Sequence, residues 1–186
     1  MSQPTTLPDI WFISDTHFDH NNIIKFTGLD GNLIRPGFSS IEEMNEHIIQ
    51  KWNSVVMPDH KVYHLGDFGK LEFAKRLNGH KRLILGNHDT NFKGLIGPFG
   101  KVMAARTFKE EGIRFILTHY PIDFECDNVP GKTPISFNVH GHIHEKLVMK
   151  GNQPDKRYIN LSVEQINYTP IHIQELIKEM KKRLSY

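Results

Sequence analysis

Five short apolar segments of this sequence are each followed directly by side chains that bind metal ions or transfer protons. The residues that follow them are Asp15 and His17, Asp67, Asn87 with His88 and Asp89, His119, and His142 with His144. In open α/β sheets, ligands bind beside the carboxyl ends of the strands. Segments that all end in this way therefore place their polar groups around one crevice, which a random scatter of the twelve histidines would not do.

The residue types indicate what this crevice holds. Imidazole and carboxylate ligands without a thiolate are typical of sites for Mn, Fe or Zn ions. Seven residues supply four donors to each of two ions if one carboxylate is shared: Asp15, His17, Asp67, Asn87, His119, His142 and His144. Two ions about 3.5–4 Å apart can share a hydroxide, orient a phosphoryl group and stabilise its entering and leaving oxygens. In an extended segment, Asp15 with His17 and His142 with His144 would each project the same way, so that each pair clamps one ion.

The segments that must position these residues have the composition of β-strands, with many β-branched and aromatic side chains. Three of them are nearly continuous in hydrophobicity, which indicates strands covered on both faces. The predicted strands are 10–13, 61–65, 82–85, 113–117, 136–139 and 157–163, and the stretch 102–117 is predicted to be a hairpin that turns at 110–112.

Helices are predicted between the strands. Ser40 and Glu43 form a capping box that opens a helix ending near Val55. Further helices are predicted at 70–77 and 173–184. Strands alternating with helices predict a layered α/β domain with mixed sheets and helices outside.

Length and composition narrow the class of protein. A chain of 186 residues is expected to form one domain, with a loose start at residues 1–9. A net charge of +2 does not indicate stable binding to nucleic acid. The single cysteine, Cys126, is typical of a reducing compartment, and we expect a cytoplasmic location. The start shows no signal peptide, and no apolar run is long enough to predict a membrane span.

The order of these motifs resembles the calcineurin-like metallophosphoesterases, in particular their compact bacterial and phage members without a cap domain. The resemblance spans residues 15–144 and rests on five motifs: Asp15-x-His17, Gly66-Asp67, Gly86-Asn87-His88-Asp89, His119, and Gly141-His142-x-His144. It implies a four-layer α/β/β/α sandwich of two mixed sheets flanked by helices, with the site at one edge.

The resemblance also implies a role for each motif residue. It assigns the first metal ion to three residues, Asp15, His17 and His144. It assigns the second ion to Asn87, His119 and His142, with Asp67 bridging the pair. His88 would donate a hydrogen bond or proton to the phosphoryl oxygen or leaving group. Asp89 would orient His88 or a neighbouring backbone group, although taken alone it is also typical of a turn.

These roles predict an enzyme that hydrolyses phosphoester bonds with two divalent metal ions, Mn first and Fe, Zn or Ni as alternatives. A hydroxide that bridges the ions would attack phosphorus in line. An open site without a cap favours a diester, such as a cyclic nucleotide or a nucleic-acid end. The alternatives are a phosphomonoesterase, a dedicated nuclease, and a non-catalytic scaffold that uses its surface for partners.

Three further residues are candidates for binding the substrate. Arg35 lies in a glycine-rich loop and would bind phosphate in a bidentate manner, or else would be a solvated loop residue. His20 and Asn22 follow the first motif and would line the pocket. His64, inside a predicted strand, and His140, at the end of another, would either pack or support the ligands by hydrogen bonds. The irregular segment 121–134 is predicted to be a loop over the site.

Overall fold

The computed structural model describes residues 9–123 and 136–184, and the strands in this part of the chain form two main sheets and one small hairpin. In chain order the strands are β1 (Ile10–Ile13), β2 (Lys61–His64), β3 (His80–Ile84), β4 (Lys101–Met103), β5 (Arg106–Glu110), β6 (Ile113–Leu117), β7 (Ser136–His140), β8 (Met149–Lys150), β9 (Gln153–Pro154), β10 (Tyr158–Asn160) and β11 (Ile171–His172).

Both main sheets are mixed. The five-stranded sheet has the order β11-β1-β2-β3-β4, in which β1 to β4 are parallel and β11 is antiparallel to β1. The four-stranded sheet has the order β10-β7-β6-β5, in which only β5 is antiparallel to its neighbour. The carboxyl ends of the parallel strands therefore lie along one edge of each sheet, where the polar residues follow.

Three α-helices and two 3₁₀ helices complete the described residues. The helices are α1 (Ile41–Val55), α2 (Phe92–Leu95) and α3 (Ile173–Leu184), and the 3₁₀ helices are Ile23–Lys25 and Leu71–Arg76. The Ser40 side chain accepts a hydrogen bond from the Glu43 amide and caps α1 as predicted. The Glu43 carboxylate accepts bonds from the amide and hydroxyl of Ser39 instead of closing the box at Ser40.

The hydrophobic core has two parts. One lies between α1 and the outer face of the five-stranded sheet, with Trp52 and Met44 against Val62 and Leu83. The other lies between the two sheets, and its buried residues come from facing sides of both sheets and from α3. Because strands β1 to β3 are covered on both faces, their sequences show little of the alternation that a half-exposed strand has.

The prediction of two mixed sheets with helices is confirmed, and three details differ. The hairpin covers only β5 and β6, because 101–103 pairs with β3 in the other sheet. The segment predicted as a helix at 70–77 is 3₁₀ at Leu71–Arg76. The third difference is a set of short elements that were not predicted: helix α2, the β8–β9 hairpin and strand β11. The predicted loop over the site, 121–134, lies largely outside the described residues, as does most of the predicted loose start. None of the described helices is long and apolar enough to cross a bilayer.

Candidate metal centre

The polar residues that follow the strands meet where the two sheets come together. Beyond the ends of β1 and β2 the chain stays paired, since the amides of Asp15 and His17 donate to the carbonyls of Gly66 and Asp67. Ser14 forms an isolated bridge with Ser162, which follows β10 in the other sheet. The ends of both sheets are thereby joined directly beneath the candidate ligands.

Five of these candidates have an unusual backbone. Their φ angles are positive: 58° at Asp15, 48° at His17, 58° at Asp67, 69° at His142 and 49° at His144. The left-handed region costs a residue with a side chain about 1–2 kcal/mol. Such strain persists only where the surrounding structure holds it, and it is concentrated at functional sites.

The first group of ligand atoms comes from Asp15, His17 and His144, whose donor atoms lie within 4.8 Å of one another. His17 Nε2 lies 3.9 Å from Asp15 Oδ1, and both atoms are buried without a hydrogen-bond partner. The other oxygen, Asp15 Oδ2, accepts bonds from the His142 amide at 2.9 Å and the Ser162 hydroxyl at 3.0 Å. One carboxylate oxygen is thus held by the protein, and the other is left for a ligand.

The second group comes from Asp67, His119 and His142, which also lie within 4.8 Å of one another. His119 Nδ1 donates to the Leu65 carbonyl at 2.9 Å, so Nε2 is the atom that faces the site. The amide oxygen of Asn87 lies 2.9 Å from that Nε2, which places Asn87 with this group.

Asp67 lies between the two groups. Its Oδ2 is 3.4 Å from His119 Nε2 in the second group and 3.7 Å from His17 Nε2 in the first. Its Oδ1 accepts a hydrogen bond from the His88 amide at 2.9 Å. Oδ2 is therefore directed at both groups, as a shared ligand must be.

The expectation that each alternating pair clamps one ion is only half right. Asp15 and His17 do lie in one group, but His142 and His144 lie in different groups. The physical reason is the backbone, which is left-handed at these residues and not extended, so the rule that alternate side chains project together does not apply.

His88 and Asp89 are adjacent in sequence but have different surroundings. The His88 side chain is 54% exposed, and its Nε2 lies 4.0 Å from Asp67 Oδ2 at the mouth of the site. The Asp89 carboxylate is buried and accepts from the amides of Asp67, Phe68 and Gly86. Of the two roles foreseen for Asp89, the structure places it on the backbone, where it fixes the loops after β2 and β3.

Two glycines allow the loops to come this close. A Cβ atom on Gly141 would lie 2.0 Å from Ser14 Oγ and 2.2 Å from Asp15 Oδ2. A Cβ atom on Gly86 would lie 2.2 Å from Asp67 Oδ1. None of these three distances is compatible with a side chain, so the glycines of these two motifs are required for close approach of the backbone to the carboxylates.

Burial sets the protonation of part of the site. Burial, together with the Arg35 guanidinium, lowers the pKa of His17, and burial also lowers the pKa of His142. Both rings are therefore neutral near pH 7, which is the form that binds a metal ion. Burial raises the pKa of the Asp15 carboxyl above its ordinary value.

The other residues of the site are governed by their partners. Burial opposes the change, but the contacts of Asp67 with His119 lower the pKa of Asp67 and raise that of His119. For His144, burial favours a lower pKa, but the hydrogen bond and the negative charge of Glu164 outweigh burial and raise the pKa of His144. A divalent ion would displace the protons that a raised pKa favours on His119 and His144, because metal binding releases protons from its ligands.

Both predicted environments of Arg35, a phosphate-binding site and a solvated loop, are wrong. Its side chain is fully buried beneath the site and neither faces a phosphate nor lies in solvent. Its donors contact the carbonyls of Asp15 and Thr16, the Met44 sulfur and the Glu164 carboxylate. A guanidinium whose donors already have protein partners is not available to the substrate.

The two other substrate candidates lie near the surface. The His20 ring is 5.6 Å from His17 and 6.1 Å from His88 between centroids, so His20 lies at the edge of the centre. Asn22 is exposed where the 3₁₀ helix Ile23–Lys25 begins. A role in substrate binding stays a prediction for both.

Sequence reasoning missed Glu164, which accepts from His144 Nδ1 at 3.0 Å. A signal was present, since Glu164 is a polar residue that follows a predicted strand, as the other motifs do. His64 was left open between packing and support. Its Nδ1 accepts from the Gly66 amide and its Nε2 lies 3.0 Å from the Thr16 hydroxyl, so it supports the turns on both sides.

The residues present fit divalent metal ions. Two buried ligand atoms, Asp15 Oδ1 and His17 Nε2, have no other partner. Hydrogen bonds at Nδ1 orient His119 and His144 so that Nε2 of each ring faces the centre, which is how proteins prepare imidazole ligands. The described residues therefore offer two adjacent groups that can hold metal.

Comparison with known proteins finds similarity over most of the chain. The profile of the calcineurin-like phosphoesterase superfamily domain matches residues 9–162. An uncharacterized protein of Methanocaldococcus jannaschii is 36% identical over 183 residues, covering 93% of this chain and 92% of that protein. The gene 66 protein of Mycobacterium phage L5 is 32% identical over 190 residues, covering 85% and 87% respectively.

A solved structure is similar to this chain in fold and sequence. The crystal structure of a protein of unknown function from Aquifex aeolicus has a TM-score of 0.68 and 28% identity, covering 92% of this chain and 99% of that one. The family match extends from β1 past both groups of ligand candidates. The chain belongs to the calcineurin-like phosphoesterase superfamily and is a metal-dependent phosphoester hydrolase.

Proposed function

We propose that this chain is a dinuclear phosphoesterase that hydrolyses phosphodiesters of the nucleotide type. The observation that carries the proposal is the position of Asp67 Oδ2, 3.4 Å from His119 Nε2 and 3.7 Å from His17 Nε2. A shared carboxylate brings two ions close enough to act on one phosphoryl group. Manganese is the ion proposed, with Fe, Zn or Ni as alternatives, because the donors are imidazoles, carboxylates and an amide.

The residues around the centre divide the work. When bound, two divalent ions activate water as a nucleophile and neutralise charge on the phosphoryl oxygens. The ions would be held by the shared carboxylate of Asp67 and by six further side chains: Asp15, His17, His144, Asn87, His119 and His142. His88 is half-exposed at the mouth of the site, where its ring can donate a proton to the leaving oxygen. The amide of His88 holds Asp67 Oδ1, so the same residue helps to orient the shared carboxylate.

Two exposed aromatic rings support a nucleotide-type substrate. Tyr120, 47% exposed, lies 4.3 Å from the His142 ring between centroids. Phe26, 45% exposed, lies 5.9 Å from the His20 ring, which in turn adjoins His88. Solvent-accessible aromatic side chains are surfaces on which nucleobases stack. Tyr120 adjoins the second group directly, and Phe26 lies beyond His20, whose ring is 5.6 Å from that of His17 in the first group. An aromatic ring on each side of the centre suits a diester with a substituent on either side of phosphorus.

The test compares bis-p-nitrophenyl phosphate with p-nitrophenyl phosphate, using protein stripped by a chelator and reloaded with Mn²⁺. We expect both activities to disappear on stripping and return on reloading, with the larger kcat/KM for the diester. Cyclic nucleotides, nucleoside monophosphates and oligonucleotides then define the natural class. A larger kcat/KM for the monoester would establish the phosphatase alternative. No activity after reloading would favour a scaffold.

A further inference from the structure

Arg35 and Glu164 form an ion pair buried beneath the candidate metal centre. Arg35 Nε donates to Glu164 Oε1 at 2.6 Å, and the two side chains are 0% and 5% exposed. They are 129 residues apart in the sequence, so only the fold brings them together. A buried ion pair is weak evidence for a contribution to stability, because the loss of hydration offsets most of the attraction. Its surroundings have to explain why it is there.

The arginine end of the pair holds the first motif. Arg35 Nη2 donates to the Asp15 carbonyl at 2.5 Å, and Nη1 donates to the Thr16 carbonyl at 3.1 Å. These carbonyls belong to the turn in which Asp15 and His17 have positive φ. The planar guanidinium therefore fixes a strained backbone that points two candidate ligands at one ion. Lysine, with its single ammonium, cannot bind two carbonyls and a carboxylate in this plane.

The glutamate end holds the third ligand of the same ion. Glu164 Oε1 also accepts from His144 Nδ1 at 3.0 Å, which leaves His144 Nε2 as the free donor. A carboxylate in this position fixes the ring orientation and raises the basicity of the imidazole. All three ligands of the first group thus contact one ion pair, directly or within one residue.

The second group is held in another way. His119 is oriented by the Leu65 carbonyl, and the loop that carries Asp67 is fixed by the Asp89 carboxylate. We propose that Arg35 and Glu164 are positioning residues that act selectively on the ion held by Asp15, His17 and His144. This inference rests on the proposed dinuclear function.

The experiment measures Mn²⁺ binding, not activity. The double variant Arg35→Met, Glu164→Leu removes both charges together, so that neither is left unpaired. The control, Arg157→Met with Asp155→Leu, removes a second, more exposed ion pair, with 2.6 Å between Arg157 Nη2 and Asp155 Oδ2. In the described part of the chain, the hydrogen bonds and ion pairs of these two residues involve none of the candidate ligands. Calorimetric titration counts the ions and gives their affinities, and electron paramagnetic resonance distinguishes a coupled Mn pair from a single Mn ion.

We expect the double variant to bind one Mn²⁺ with wild-type affinity and the other about 10–100-fold more weakly. Its resonance spectrum should be that of a single ion, while the control keeps the coupled pair. Two ions at wild-type affinity would overturn the proposal, as would an equal loss at both sites, since that is the signature of a general structural role.

Milder single variants keep the test decisive if the double variant does not fold. Glu164→Gln retains an oxygen that can accept a hydrogen bond from His144. It should therefore lower the affinity for one Mn²⁺ ion less than Glu164→Leu does. Arg35→Lys keeps the charge but not the planar donors, so it should lower the affinity for the same Mn²⁺ ion that the double variant binds more weakly. Unchanged binding in both would overturn the proposal. Titration of the wild-type protein tests the proposed function separately. If the wild-type protein binds fewer than two Mn²⁺ ions, the dinuclear centre itself is rejected, and the proposed role of the ion pair is rejected with it.

Discussion

At the level of single residues, exposure separates the chemical roles of neighbouring side chains. Asp67 is buried and contacts both groups of ligands, whereas His88 is half-exposed at the mouth. A ligand must be held rigidly, while a proton donor must reach the substrate. His88 and Asp89 are adjacent, yet the His88 ring is exposed to solvent and the Asp89 carboxylate fixes backbone amides. In the proposed function, the Asn-His-Asp motif would therefore combine a ligand, a proton donor and a support in three consecutive positions.

Replacement of His88 tests the role of proton donor. We expect His88→Ala to lower kcat by about 10²–10⁴-fold, because positioned acids contribute that much. The loss should grow as the leaving group becomes more basic, so phenyl esters should suffer more than p-nitrophenyl esters. Two bound metal ions should remain, as determined by elemental analysis.

Asp67→Asn is the counterpart of this variant, and it should lose metal as well as activity. Wild-type turnover of a phenyl ester by His88→Ala would contradict the assignment of the proton donor. Loss of bound metal from His88→Ala would contradict it too, since the residue would then be a ligand or a support.

At the level of elements, the site depends on how closely the loops after the strands approach one another. The loop after β7 contacts the end of β1 through Gly141, where a Cβ atom would lie 2.2 Å from Asp15 Oδ2. That contact crosses from one sheet to the other. Packing of strands alone does not produce it, because it requires a residue without a side chain at the crossing.

Gly141→Ala tests this contact. The added methyl group must displace Asp15 or Ser14, so we expect Mn²⁺ affinity to fall and the free energy of unfolding to drop by about 1–3 kcal/mol. Chemical denaturation and metal titration measure the two effects. Gly97→Ala is the matched control, because its Cβ has nothing within 4 Å and should change neither quantity. Unaltered Mn²⁺ affinity in Gly141→Ala would refute the requirement for close approach.

At the level of the whole molecule, buried histidines link the stability of the fold to pH. His64 is fully buried in β2, stacks on Trp52 and supports the turns that carry the ligands. Burial lowers the pKa of His64 to about 3 from the ordinary value of 6.5. The folded protein therefore keeps His64 neutral, while the unfolded chain takes up a proton below about pH 6.5.

It follows that the stability associated with neutral His64 is complete above pH 6.5 and is lost as the pH falls towards 3. At about 1.4 kcal/mol per pKa unit, the loss reaches a few kcal/mol by pH 4. Denaturant titrations at several pH values between 7 and 4 measure it. His64→Gln, whatever its stability at pH 7, should show a flatter dependence on pH. An identical slope in the two proteins would contradict the prediction.

The types and order of the chemical groups could be predicted from local sequence patterns. Short hydrophobic strands followed by Asp, Asn and His are local patterns, and they predicted two mixed sheets, the position of α1 and α3, and the residues that now form two adjacent groups. Strand and helix signals of this kind depend on residues a few positions apart, so they can be read without knowledge of the fold.

The physical reason for the division of the ligands into two groups, and the residues that support them, became visible in the three-dimensional structure alone. His142 and His144 separate because their backbone is left-handed, and Arg35 is buried because Glu164, 129 residues away, comes to meet it. Neither fact has a local signature. A backbone conformation that is strained in isolation, and a charge that is stable in the interior only when paired, both depend on contacts between segments that are far apart in the sequence.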